Sequence, residues 1–369
     1  MAPDIDEEEV RILAEGMTLK FGLLGLPQGG AKAGIRADPD APEEERFQIL
    51  QEFGAAIAPF LQNRIYLPGP DMGTSNEMVR RMLVRQGVPV RHRELRGVRS
   101  GYFTALSVFH CAVHAADAIG LPLAGSTIAI EGFGKVGSSL ADLFSGVSAR
   151  VIAVSTSHGA VYHPSGLDVR DLLRAYRELG SRFVLDYDKA ERCPREQVFQ
   201  APVDILCPCA RHNTIPAAGA GGIRARIISP GSNHPYDLEA ERSLVRRGIL
   251  CLPYWVANCG GTLGETLEFA GWTDAEIASF IRRRLEPHIR WIVDQSRRSH
   301  LTPTEIVMPR TLARFARLSE QAARPGLRER IMGAGLECYR RGLIPSAVVR
   351  SLSRGYFENG VLLPFDRET

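Results

Sequence analysis

The sequence predicts an α/β protein, a doubly wound parallel sheet accompanied by a second, smaller α/β domain completed by C-terminal helices. Three observations carry that expectation. From Ser126 onward short apolar runs alternate with helical patterns, the signature of βαβ units. A glycine turn, Gly132 to Gly137, stands between the first of those runs and the helix after it. The 369 residues exceed what one hydrophobic core usually serves, so a second domain is expected.

Each element follows in order. Glu7 to Lys20 has helical apolar spacing through Val10, Leu13, Ala14 and Met17, and a glycine-rich turn follows at Gln28 to Gly34. Glu43 to Leu61 repeats that spacing, with Phe47, Leu50, Phe53 and Ile57 on one face. Arg64 to Leu67 reads as a short strand entering the loop Pro68-Gly69-Pro70-Asp71. Arg96 to Gly101 bears a glycine and reads as a hinge ahead of an apolar helix, Ala105 to Ile119. Thr127 to Glu131 is a strand, Ser138 to Phe144 a helix and Arg150 to Val154 the next strand. Val203 to Cys207, Ile227 to Ser229 and Ile249 to Leu252 continue the sheet. From about Gly261 the pattern is helical, Asp274 to Arg297 being the longest helix.

Composition excludes several classes. Apolar residues make up 44% and charged residues 24%, ordinary for a soluble protein. A net charge of +3 with no basic run argues against nucleic acid. No stretch approaches the roughly 18 uninterrupted apolar residues of a membrane span. The acidic start lacks the apolar segment of a signal peptide. Seven scattered cysteines favour free thiols, hence a cytoplasmic location. Cys207 and Cys209 form C-x-C without two further ligands, and packing explains His110, Cys111 and His114 on one helix, so no metal is expected. Trp255, Trp272 and Trp291 read as packing residues.

One bias is informative. Of 45 basic residues only four are lysines: Lys20, Lys32, Lys135 and Lys189. Where arginine serves for plain positive charge, the surviving lysines mark positions where a removable proton matters.

Gly132-Phe133-Gly134-Lys135-Val136-Gly137 matches G-x-G-x-x-G between a strand and a helix, the Rossmann-type dinucleotide-binding context. Its glycines permit the turn, the approach of a pyrophosphate and helix–strand contact, and the helix N-terminus offers free N–H groups. The acidic residue that usually closes the second strand is replaced by Ser155-Thr156-Ser157, followed by His158. Hydroxyls serve an NAD ribose or accept the 2′-phosphate of NADP, so the cofactor is NAD or NADP.

Two further motifs carry charge. Met17-Thr18-Leu19-Lys20 precedes Leu26-Pro27-Gln28-Gly29-Gly30-Ala31-Lys32-Ala33-Gly34, and Pro70-Asp71-Met72-Gly73-Thr74 supplies a carboxylate in a constrained loop. Two neighbouring cations, if buried, depress a lysine pKa toward neutrality. Cations suit an anionic substrate, and a carboxylate suits an ammonium group.

These motifs resemble, in order and spacing, the glutamate/leucine/phenylalanine/valine dehydrogenase family, whose members carry M-T-x-K, L-P-x-G-G-x-K-G-G and P-D-x-G-T. The resemblance continues through Asp204-Ile205-Leu206-Cys207-Pro208-Cys209-Ala210, Ser229-Pro230-Gly231-Ser232-Asn233-His234-Pro235 and Asn258-Cys259-Gly260-Gly261. It implies a catalytic lysine at Lys32, a proton-exchanging aspartate at Asp71, and a carboxylate-gripping lysine at Lys20. It further implies Ser100 beside the nicotinamide carboxamide, Asn233 near the nicotinamide and Asn258 near the substrate amine, with Cys209 and Ala210 in the cofactor site beside Ser155 and Thr156. A hydride would leave the α-carbon for the nicotinamide, and water would hydrolyse the imine to a 2-oxo acid and ammonia. The implied partners are a small-molecule amino acid or 2-oxo acid and further copies of the chain in a homo-oligomer. A substrate domain is expected over residues 1-112 plus 335-369, and the NAD(P)-binding domain over 113-334.

Departures accompany the resemblance. The chain is expected to lack the family's N-terminal segment, which lines the substrate pocket. Glu265 stands where the family has a hydroxyl or apolar residue meeting the substrate side chain; it either favours a substrate with a basic or polar side chain or turns toward solvent or an arginine. Ala33, Lys135 and Tyr254 are lesser departures, and Ser351 to Thr369 runs past the family's usual end without an assigned role. The alternative reading is a non-catalytic or remodelled NAD(P)-binding paralogue, serving as a partner or regulatory subunit or acting on a different amine.

Overall fold

A computed structural model describes residues 1–88 and 99–365. The sheet grows from β1 (Thr127–Glu131), whose Ile128, Ala129 and Ile130 are fully buried, as a parallel strand covered on both faces must be. The others are β2 (Arg150–Thr156), β3 (Gly159–Tyr162), β4 (Glu191–Cys193), β5 (Ile205–Pro208), β6 (Ile227–Ile228) and β7 (Leu250–Cys251). Their spatial order is β4-β3-β2-β1-β5-β6-β7. Strands β2, β1, β5, β6 and β7 run parallel, and the order reverses around β1, which opens a crevice at its C-terminal end.

The strand and helix patterns of this half match the sequence expectation, and β3 and β4 are added to it. Both lie antiparallel on one edge, β3 returning from β2 through a tight turn at Ser157 and His158. The outermost strand, β4, is largely exposed, so it carries no apolar run by which to be recognised.

The first 88 residues form helices α1 (Glu7–Leu24), α2 (Glu43–Ala56), α3 (Ala58–Gln62) and α4 (Asn76–Arg85). The single helix expected over Glu43 to Leu61 is two. Pro59 has no N–H for the carbonyl four residues back, so α2 ends before it and α3 restarts. The strand expected at Arg64 to Leu67 is not formed: Arg64 turns with φ +54°, the Ile65 and Tyr66 amides donate back to the Phe60 carbonyl, and Ile65 and Leu67 are 70% and 63% exposed. Of the hinge expected at Arg96 to Gly101, residues 96–98 lie outside the described part; Arg99 caps α5 (Ser100–Ala118) and Ser100 begins it.

Helices α6 (Lys135–Ser145), α7 (Val169–Leu179) and α8 (Leu238–Arg246) flank the sheet. A short helix, α9 (Tyr254–Ala257), leads into α10 (Gly260–Phe269) and α11 (Asp274–Arg298), both packed on α5. The chain closes with α12 (Pro303–Ala323), α13 (Leu327–Arg340) and α14 (Ser346–Gly360). Capping boxes at Thr273 with Glu276 and Thr302 with Glu305 start α11 and α12.

The segment after α14 is a tie. The Leu362 amide donates to the Leu24 carbonyl at 2.9 Å. Buried Arg314 of α12 donates to the carbonyls of Leu23 (2.7 Å) and Leu363 (2.8 Å). Phe365 stacks near His288 and Trp291 of α11. Burial, with Arg314 nearby, holds His288 down at about 3, so it stays neutral inside this joint.

Candidate active site

Motifs far apart in sequence converge on one cleft of about 2950 Å³ above the crevice. That exceeds the usual size of a small-molecule pocket, leaving room for a dinucleotide beside a substrate. Lys20, Lys32, Asp71, Ser100, Gly132, Gly134, Asn233, Asn258 and Glu265 all line it.

The substrate wall begins on α1. Its side toward the cleft receives the glycine-rich turn so closely that a Cβ on Gly30 would lie 2.2 Å from the Thr18 nitrogen. Only glycine allows that approach, and the Gly30 amide donates to Thr18 Oγ1 at 3.1 Å. The contact relates Lys20, one half-turn beyond Thr18, to Lys32. Lys20 is buried; its Nζ donates to Asn233 Oδ1 at 2.9 Å. Burial, and then the charge of Lys32, pushes its pKa down to about 8.

Asn233 Oδ1 also accepts from Asn258 Nδ2 at 3.0 Å. Asn258 further donates to the carbonyls of Ser232 (3.0 Å) and Gly231 (3.3 Å), which fixes its amide. Its Oδ1 is buried and accepts no hydrogen bond from the described residues, so it can take a donor from the cleft.

Lys32 Nζ forms an ion pair with Asp71 Oδ2. The other carboxylate oxygen accepts from the Met72 amide at 2.8 Å, and Thr74 Oγ1 bonds both the amide and carbonyl of Asp71. The loop is therefore locked by its own threonine. Burial in the cleft opposes ionisation of Asp71, but the Lys32 ammonium outweighs it and holds the carboxyl below its usual range.

The cofactor wall is the glycine turn. Gly132 has φ +89°, and a Cβ on Gly137 would come within 2.0 Å of the Gly132 carbonyl, while one on Gly134 would meet nothing within 4 Å. The turn is thus closed by Gly132 and Gly137 and left open to the cleft at Gly134, a cradle suited to a pyrophosphate at the N-terminus of α6. These residues fit a dinucleotide.

The other expected cofactor residues support this loop. The Phe133 side chain turns into the core against Tyr176 and Phe183, and its amide donates to the Ser155 carbonyl at 2.7 Å. Ser155 Oγ accepts from the Gly132 amide (3.2 Å), and Thr156 Oγ1 donates to the Ser181 carbonyl (2.8 Å). Val136 borders Gly231, and Lys135 stands against Gly101. The Cys209 amide donates to the Glu131 carbonyl (2.6 Å) and the Ala210 amide to Glu131 Oε2 (3.1 Å).

Glu131 was missed by motif reasoning. Burial raises its carboxyl to about 7, against the pull of those amides. The available signal was an acid ending an otherwise apolar strand immediately before the first glycine. Glu265, on α10, lines the cleft together with Ser100.

A dinucleotide cradle and a substrate wall of lysine, asparagine and aspartate, set on a doubly wound sheet, define a nicotinamide-dependent oxidoreductase. The family model described as Glutamate/Leucine/Phenylalanine/Valine dehydrogenase matches residues 99–326, and that of the Glu/Leu/Phe/Val dehydrogenase dimerisation domain matches residues 1–86. The chain belongs to this family and is an NAD(P)-dependent amino-acid dehydrogenase. The expected lack of the family's N-terminal segment is not borne out, because the dimerisation-domain model matches residues 1–86.

Glutamate dehydrogenase of Thermotoga maritima is 34% identical over 313 residues, spanning 80% of this chain and 70% of that protein. NAD-specific glutamate dehydrogenase of Staphylococcus aureus is 31% identical over 304 residues, 77% of this chain and 72% of its own length. Among solved structures, hetero-hexameric glutamate dehydrogenase from Thermus thermophilus in its Leu-bound form superposes with a TM-score of 0.73 at 26% identity, over 86% of this chain and 79% of that one. No described helix is long and apolar enough to cross a membrane.

Proposed function

We propose that this chain deaminates an L-amino acid oxidatively and reversibly, giving a 2-oxo acid and ammonia, with Lys32 and Asp71 as the proton-handling pair. The observation that carries the reading is the Lys32–Asp71 ion pair in the same cleft as the glycine cradle. NAD or NADP, held by Gly132 to Gly137 with Ser155, Thr156, Cys209, Ala210, Ser100 and Asn233 around it, supplies the hydride acceptor.

The chain's own groups do the rest. Lys20, a buried cation with one neutral partner, receives the α-carboxylate. Asp71 takes a proton from the α-ammonium group, because an amine must be neutral before its carbon gives up a hydride. Asn258 Oδ1 accepts the remaining N–H and orients it. Lys32, once its ammonium proton has passed to solvent, is the amine base that draws a proton from the water attacking the substrate imine carbon. Glu265 meets the substrate side chain.

In the proposed division, residues 1-112 plus 335-369 bear the substrate wall and 113-334 bind the cofactor, α5 being shared across the boundary. A homo-oligomer in the cytoplasm is the proposed form; the hetero-hexameric Thermus thermophilus enzyme supports assembly. That hetero-hexamer also favours a second reading. In a hetero-hexamer one kind of subunit can be a non-catalytic partner or regulatory subunit, and a remodelled paralogue could also act on a different amine.

The test is formation of reduced nicotinamide by the purified chain with a panel of L-amino acids and each coenzyme in turn. Turnover with any of them supports a dehydrogenase. Coenzyme binding without turnover on the whole panel would favour the partner reading.

A further inference from the structure

Among the described residues, Glu265 is a carboxylate without a counter-ion. It lines the cleft from α10, with Thr262 and Thr266 beside it on the same helix. Among the described residues it forms no ion pair, and Ser100 lines the cleft with it. Lys20 and Lys32 are near enough to draw Glu265 toward ionisation, yet each is engaged elsewhere, Lys20 with Asn233 and Lys32 with Asp71.

The cleft therefore has two unlike ends. One presents the ammonium groups that suit an α-carboxylate. The other presents a carboxylate that lines the cleft with no ion pair among the described residues, which is satisfied by a cation or by a proton. A substrate with an acidic side chain would place two carboxylates together. An apolar side chain would exclude water from Glu265 and return nothing for it.

Resting on the amino-acid dehydrogenase reading, we propose that the substrate is an L-amino acid whose side chain ends in a cation, an ω-ammonium or guanidinium, seated on Glu265. Ser100 and the two threonines complete a polar rim for its N–H groups. Glu265 acts on specificity and takes no part in the proton transfers at the α-carbon.

The test is kcat/KM of the full chain for L-ornithine, L-lysine and L-arginine against L-glutamate and L-leucine, repeated with Glu265→Gln. The expected result is a preference for at least one cationic substrate by roughly tenfold or more, carried mainly in KM. In Glu265→Gln the ratio of kcat/KM for the cationic substrate to that for leucine collapses. A wild-type preference for glutamate or leucine overturns the proposal and leaves the dehydrogenase reading standing; this ranking needs no variant to fold. A cationic preference that survives Glu265→Gln also overturns it. Failure to oxidise any amino acid overturns the dehydrogenase reading, and the inference with it.

Discussion

Lys20 and Asn233, 213 residues apart, are joined by a 2.9 Å hydrogen bond between Nζ and Oδ1. The bond ties α1 to the loop after β6, so the substrate wall is referenced directly to the sheet that carries the cofactor cradle. Asn258 shares the same acceptor, and the three side chains form one unit.

A buried lysine whose pKa is near 8 gives a pH limb with a definite sign. Lys20 is charged below about 8 and neutral above, and only the charged form attracts the α-carboxylate. In the free enzyme kcat/KM should therefore fall as pH rises through about 8. Lys20→Arg, which keeps its charge, should lose this limb even if its overall activity is lower. A limb unchanged in Lys20→Arg would assign it to another group.

The same residue predicts a trade between function and stability. Its folded pKa lies below the ordinary 10.5, so the burial penalty is present below pH 8 and fades between 8 and 10.5. Lys20→Met, which removes the charge, should stabilise the protein at pH 7 by up to about 3 kcal/mol while raising KM sharply. Thermal unfolding and steady-state kinetics on that variant measure both effects, and a lower Tm would contradict the first.

Lys32→Ala should reduce turnover by about 10²–10⁴-fold and leave coenzyme affinity within about twofold. Lys32→Arg should not rescue it, because arginine cannot release a proton. Fluorescence titration of reduced coenzyme beside the rate assay checks this, and near-native activity in Lys32→Ala would rule out its proton role.

The glycine turn allows two effects to be separated. Gly134→Ala adds a methyl into open space, so the fold should tolerate it while coenzyme Kd rises. Gly137→Ala collides with the Gly132 carbonyl and should lower both Tm and affinity. Equal Tm losses in the two would show that the turn is not built this way.

Arg314→Met removes donors to the Leu23 and Leu363 carbonyls and should cost about 2–4 kcal/mol. Hydrogen exchange at the Leu362 amide should accelerate with it. Protection unchanged from wild type would show the tie to be independent of Arg314.

Much of this was legible in the residues, for identifiable reasons. The parallel strands announced themselves because both faces are buried, and the glycine turn because its chemistry admits few other residues. The exposed edge strand Glu191–Cys193 has no such signature. Arg64 to Leu67 looked strand-like because apolar residues recur there, but among the described residues no neighbouring strand offers it hydrogen bonds, and its amides turn back to Phe60. Lys20, Lys32 and Asp71 stood out through scarcity and loop context. The acceptor shared by Lys20 and Asn258, and the burial of Glu131, depend on contacts across the chain that no local pattern encodes.

The tie between α1 and the far end of the chain bears on how the protein is made. Arg314 reaches Leu23 across 291 residues, and α12 covers a face of α1. During synthesis α1 emerges long before the segments that bury Leu23 and Leu24, so its apolar stripe stays open while the nucleotide half can already condense. The substrate wall is then the last part of the enzyme to mature, and α1 is where a chaperone would have the longest opportunity to bind.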